Sequence, residues 1–306
     1  MNKKINSTSI HHFMKATILL GFSFYILQLI ITGDILQFIV PQLVIYVKIA
    51  VTFLMIVSAF QYYIAILSMK KTVIICECGH DHDHVFGHDH SHHSEKFTFK
   101  TFVIYGLFLV PLLLGFLLPN QSVASSLASN RGMNLGGMTS QNNGAKVELD
   151  GNEDPALRKL FKTNVYDKDY AKLGMLLYKQ DVIEMQDKWF IEKLQSMNMF
   201  VDKFQGKEIK IMGFIYRESG LTSNQFIIAR MGMTHCIADI SPFGIIVEAA
   251  NSNEFPNNAW VTITGKIGKT TFNGQPVIKI EVEKSEPAKA PKVQYVYPDW
   301  EFGKKL

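Results

Sequence analysis

Residues 260–282 read WVTITGKIGKTTFNGQPVIKIEV, and this stretch decides the architecture of the carboxyl-terminal half. Trp260 to Ile267 and Pro276 to Val282 are apolar-rich or alternating runs, the period-two signature of half-buried strands. Between them, Thr271 to Pro276 carries Asn273 and Gly274, a pair that tolerates the left-handed backbone a tight hairpin requires. Three similar runs come earlier, Lys207 to Arg217, Gln225 to Met233 and Phe243 to Ala249, set apart by Gly, Ser, Asn and Pro clusters. Upstream of these, Asp181 to Met199 has the spacing of a helix. Val182, Ile183, Met185, Trp189, Phe190, Leu194 and Met197 fall largely on one face, with Asp181 placed to cap and Glu184 three residues on. Five antiparallel strands with a flanking helix predict a soluble, partly open barrel of OB-like type over residues 147–306.

The first 119 residues have a different composition. Three nearly uncharged apolar runs, about 14–32, 49–68 and 99–119, approach the ~20 residues a helix needs to cross a bilayer. Three such segments are hard to pack in a small globule, so the chain is expected to be an α+β membrane protein with three spans. No small-x-small cleavage pattern follows the first run, which is therefore expected to remain as an anchor. Ile35 to Val47 contains Pro41 and fits either an interfacial turn or a tilted start to the second helix. Residues 120–146, rich in Ser, Asn and Gly, are expected to form a flexible tether.

Between the second and third runs lies Cys76 to His93, CECGHDHDHVFGHDHSHH, which holds seven of the ten histidines and two of the three cysteines. Imidazole nitrogen and thiolate sulfur are the donors Zn²⁺ prefers, and Cys76, Cys78, His80, His82 and His84 recur at every second position. His88, His90, His92 and His93 extend the set, and Asp81, Asp83 and Asp89 can orient imidazoles from behind. A purification tag would not be internal and mixed with Asp, Gly and Cys. A merely solvated loop would use Lys, Glu and Ser, and a pH sensor would not need thiols. The tract is expected to capture a divalent transition metal, zinc first, by ligand exchange and without fixed geometry.

Lysines set the expected orientation. Lys3 and Lys4 precede the first span and Lys15 stands at its start, and Lys70, Lys71, Lys96 and Lys100 flank the metal tract, whereas the opposite loops carry only Lys48 and Arg131 before Lys146. The amino terminus and the tract are therefore placed in the cytoplasm and the carboxyl-terminal domain outside, which suits reduced Cys76 and Cys78. From Gly144 onward, 22 Lys and Arg face 21 Asp and Glu, so the β domain lacks the basic groove that nucleic acid demands. An enzyme is not expected, since the chain shows no nucleophile motif, no phosphate loop and no HExxH pair.

With these features in place, the chain resembles the YcgQ-like family of bacterial permease subunits. The resemblance rests on PLLLGFLLP at 111–119, SSLASNRG at 125–132, GFIYRE at 213–218, FIIARMGMTHCIAD at 226–239 and QYVYP at 294–298. It implies a membrane-anchored accessory protein working with a separate multi-span permease, in association with a divalent metal. It implies no catalytic site. The family pattern near Thr234 to Asp239 suggests two adjacent cysteines where this sequence has His235 and Cys236. A zinc-competent donor is thus kept, and His235, Cys236 and Asp239 become candidates for a second metal site. Adjacent residues on a strand face opposite ways, so such a site needs a bulge or loop. For Arg217 and Glu218 an ion pair is the simplest expectation. The rival reading is an envelope-anchored module whose β domain recognises a peptide, glycan or protein partner, with the histidine loop acting only as a metal buffer.

Overall fold

The computed structural model describes residues 7–70, 98–118, 132–136, 149 and 154–306. The Cys76 to His93 tract lies outside the described residues. The chain forms two compact units, one of Met1–Ile35 with Pro41–Gln121, the other of Leu36–Val40 with Ser122–Leu306.

The first unit holds helices α1 (Ser7–Thr32), α2 (Val44–Lys70) and α3 (Phe99–Leu117). All three are long and apolar enough to cross a membrane, as the composition predicts. In lipid, helices gain little from burying apolar surface, so small residues and interhelical hydrogen bonds must hold them together. That is what is seen: Ser9 Oγ donates to the Ala65 carbonyl at 2.8 Å and Ser58 Oγ to that of Ala16 at 2.9 Å. His12 Nδ1 meets Gln61 Oε1 at 2.8 Å, and His11 Nδ1 meets the Tyr105 hydroxyl of α3 at 3.0 Å. Large side chains such as Phe24, Phe53, Phe60 and Phe102 point outward, which is the lipid-facing pattern. Pro41 opens a 3₁₀ turn, Pro41–Leu43, just before α2, where its fixed φ and missing N–H do least harm.

The second unit is built on a seven-stranded sheet, β1 (Val182–Met185), β2 (Glu208–Tyr216), β3 (Gln225–Gly232), β4 (Ser241–Glu248), β5 (Trp260–Phe272), β6 (Gln275–Pro287) and β7 (Tyr295–Val296). Its order is β1-β2-β5-β6-β4-β3-β7, and β2 also pairs with β3. All five strands anticipated from the alternation are present. The purely antiparallel, five-stranded expectation is corrected, because β1–β2, β4–β6 and β3–β7 run parallel. Parallel neighbours are joined by long crossovers, and no local pattern announces them. At the β5–β6 hairpin, Asn273 (φ 48°) and Gly274 (φ 77°) take the left-handed conformation anticipated for them. The register shift between Thr264 and Gly265 brings the strands so close that a Cβ on Gly265 would overlap the Glu281 carbonyl.

The helical window starting at Asp181 is also corrected. Val182–Met185 is strand β1, paired with Glu208 to Ile211, and the helix begins only at Phe190. Four β-compatible residues beside an open strand edge gain more from main-chain pairing than from a first helical turn. Helices α4 (Pro155–Leu160), α5 (Lys168–Tyr178), α6 (Phe190–Met199) and α7 (Val201–Phe204) complete the unit. Phe190, Leu194 and Met197 on α6 are fully buried in one core with Ile183, Ile209, Phe226, Ile228, Val247, Ile263 and Ile280. Each such side chain is worth roughly 1.5–3 kcal/mol of burial. Buried Asn198 ties the helix to the sheet, since its amide donates to the Leu135 carbonyl at 2.7 Å and its oxygen accepts from Ile278 N at 2.8 Å. Residues 132–136, inside the stretch expected as a tether, are therefore docked: Asn134 N donates to the Pro242 carbonyl and Asn134 O accepts from Gly244 N.

Candidate functional site

Two polar constellations stand out in the second unit, both leading off β3. The first is the loop after it. Asp239 closes a short 3₁₀ turn, Ile237–Asp239, capped by Cys236. Its Oδ2 accepts from His235 N at 2.7 Å and Cys236 N at 3.2 Å, and its Oδ1 from Thr234 N at 3.0 Å. His235 Nδ1 lies 3.2 Å from the same Oδ2. Burial pushes the Asp239 carboxyl up, but these N–H groups outweigh it and hold the carboxyl below its ordinary value. Leu36–Val40 seats against the loop: Ile39 forms an antiparallel bridge with Cys236, Val40 N donates to His235 O at 3.1 Å and Ile237 N to Phe38 O at 2.9 Å. Tyr297 fastens the segment from the other side, its hydroxyl donating to Leu36 O at 2.6 Å; burial pushes that phenol far up, so it stays a donor.

The expected second metal site is thus brought together in part. His235 and Asp239 are in contact on a loop, His235 is exposed, and Cys236 is a free thiol at the turn's cap. Asp239 is committed to organising the backbone. Among the described residues no group of three or more His, Cys, Asp and Glu side chains has the spacing to hold a metal ion. The main candidate ligands, Cys76, Cys78, His80, His82, His84, His88, His90, His92 and His93, fall outside the described residues. Arg217 makes no ion pair with Glu218 among the described contacts; it donates to the Ser252 carbonyl at 2.6 Å and lies over the Phe226 ring.

The second constellation is a cleft of about 560 Å³, lined by Glu184, Asp187, Lys188, Lys210, Met212 and Arg230 among others. Arg230 is fully buried, 0 % exposed. Its guanidinium carbon lies 5.4 Å from the Trp260 ring and 6.0 Å from that of Phe190, so aromatic faces flank the charge. Nη1 stands 2.7 Å from Asp187 Oδ1, an ion pair that lacks hydrogen-bond geometry. Nε and Nη2 find no acceptor among the described residues. The partner Asp187 is largely solvated, with 62 % of its side chain exposed. Asp187 belongs to the Gln186–Trp189 connection, where Trp189 takes φ 57° and its indole donates to Asp299 at 3.1 Å. In the sequence, Arg230 shows only as the one cation within the apolar run FIIARMGM.

Residues 14–134 match the DUF1980 N-terminal domain and residues 160–298 the DUF1980 C-terminal domain. The chain is 27 % identical to the UPF0703 protein YcgQ of Bacillus subtilis (strain 168) over 288 residues, covering 92 % of this chain and 97 % of that protein. It is 26 % identical over 198 residues to a Streptococcus mutans protein named "Putative two-component membrane permease complex subunit", covering 61 % of this chain and 70 % of that one. Two consecutive domain matches, together with a relative aligned almost end to end, place the chain in the YcgQ-like family.

Proposed function

We propose that this chain is the accessory subunit of a bacterial metal permease, with zinc as the metal, and that it binds and hands over the ion through the Cys76 to His93 tract. The observation that carries the reading is the union, in one chain, of three membrane-crossing helices with similarity to a protein named as a permease complex subunit. The multi-span partner forms the ion path, since charge within the three spans is too scarce for this chain to conduct alone. The lysine bias supports a cytoplasmic tract and an external carboxyl-terminal domain. Because β2 pairs with both β5 and β3, the sheet returns on itself, which supports an OB-like barrel as the docking module. His235 and Cys236 offer a weaker second pair of donors, presented by the turn that Asp239 organises.

Ligand exchange needs neutral imidazoles and thiolates, so capture weakens as pH falls below about 6. The test compares metal content of the purified full chain with that of a variant lacking residues 80–93, at pH 7.5 and pH 5. The wild type is expected to carry zinc at pH 7.5 and the variant little. Equal zinc in both, or tighter binding at pH 5, would overturn the reading. Deletion that leaves growth under zinc limitation and zinc excess unchanged would favour the envelope-anchored binding module.

A further inference from the structure

We propose that the cleft floored by Arg230 is a binding site for a small organic monocarboxylate, whose carboxylate takes the Nε and Nη2 edge of the guanidinium that Asp187 leaves open. The inference goes beyond the metal reading and rests on the cleft alone.

A buried arginine is retained in a core only where its donors are answered or needed. The rings of Trp260 and Phe190 answer the π faces of the guanidinium, but its N–H groups lie in its plane and require acceptors. Asp187 approaches Nη1 alone, leaving Nε and Nη2, the edge that a carboxylate grips with both oxygens. Asp187 is also a weak counterion: being mostly exposed, it is screened by water and leaves much of the guanidinium charge for a ligand.

Charge sets the class of ligand. The lining carries three cations, Lys188, Lys210 and Arg230, against two carboxylates, Glu184 and Asp187, so a single negative charge balances it and a phosphate dianion does not. The walls supply Met185, Ile211 and Met212, which suit an apolar body behind the charge, and the volume is within the range of small-molecule sites. Trp189, next in the chain to the lining residues Gln186, Asp187 and Lys188, takes a left-handed conformation rare for so bulky a residue, a strain that clusters at binding sites.

The test titrates isovalerate, isovaleramide and inorganic phosphate into the full chain in nanodiscs, with a metal chelator present throughout so that zinc plays no part. The readout is tryptophan fluorescence, since Trp260 flanks the guanidinium. Isovalerate is expected to bind and isovaleramide not to. Asp187→Asn, which removes the negative charge already on the guanidinium, is expected to tighten isovalerate about tenfold, and Arg230→Gln to weaken it by at least about tenfold. Asp187 is exposed, so its variant keeps the test alive should Arg230→Gln fail to fold. Equal binding of the amide, phosphate binding as tight as isovalerate, an Asp187→Asn variant no tighter than wild type, or no isovalerate binding to that variant below about 50 mM would each overturn the proposal.

Discussion

Asp239 and Arg230 are nine residues apart and each carries one unit of charge, yet the protein treats them in opposite ways. The Asp239 carboxylate accepts three backbone N–H groups and the His235 ring, while the more deeply buried Arg230 has no hydrogen-bond partner for any of its three nitrogens among the described residues. A charge whose hydrogen-bonding capacity is used up by its own backbone is a piece of architecture. A charge kept in a core with capacity to spare is held there for something other than stability.

The strongest way to break this contrast is Asp239→Ala. Removing the acceptor strands the N–H groups of Thr234, His235 and Cys236 and loosens the turn on which Leu36–Val40 is seated. Destabilisation of about 2–3 kcal/mol is expected, read as a lowered melting temperature of the full chain in detergent. Because the carboxyl is held below its ordinary value, its contribution is complete above about pH 4 and is lost as pH falls through the depressed value. The gap between wild type and variant should therefore close in acid. A gap that is constant from pH 7 to pH 3 would mean the carboxylate is not what holds the loop.

Arg230→Met is the counterpart, and its sign should be reversed. The substitution removes a buried cation with unanswered donors, leaves an aliphatic body between two rings, and releases an aspartate that already faces water. Stability should be unchanged or raised by up to about 2 kcal/mol. A loss as large as that of Asp239→Ala would make Arg230 an architectural residue too, and the comparison would fail.

Only one side of this contrast could be seen in the sequence. The Asn273–Gly274 hairpin and the five runs around it are local signals, carried by alternation and by two residues that tolerate positive φ, and the structure follows them. The three apolar helices are equally local. Val182–Met185 satisfies a helical and a strand pattern equally well, and only the open edge at Glu208 to Ile211 decides. His235, Cys236 and Asp239 are donors by residue type, but whether Asp239 faces a metal or its own backbone depends on the turn. Arg230 was the least legible. Its meaning comes from Phe190 and Trp260, about 40 and 30 residues away in chain on either side, and no spacing rule connects the three.

Glu192 falls between the two extremes and sharpens the rule. It is 3 % exposed on α6; Oε1 accepts from Asp299 N at 2.6 Å, whereas Oε2 has no partner among the described residues. Burial pushes this carboxyl up, the backbone N–H groups draw it down without prevailing, and neighbouring Asp299 adds to the rise. A group whose folded-state pKa is raised favours folding while it is protonated in both states. That advantage is lost as pH climbs from the ordinary glutamate value of 4.5 through the raised one, because the unfolded chain ionises first. Glu192→Gln keeps an acceptor for Asp299 N and cannot ionise, so the variant should match wild type near pH 4 and exceed it at pH 8, by on the order of 1 kcal/mol. The difference in melting temperature should therefore grow with pH, the reverse of the acid-closing gap expected for Asp239→Ala. If it shrinks or keeps one value, half-satisfaction of a buried carboxylate is no strain here, and the weight placed on unanswered donors at Arg230 must be reduced with it.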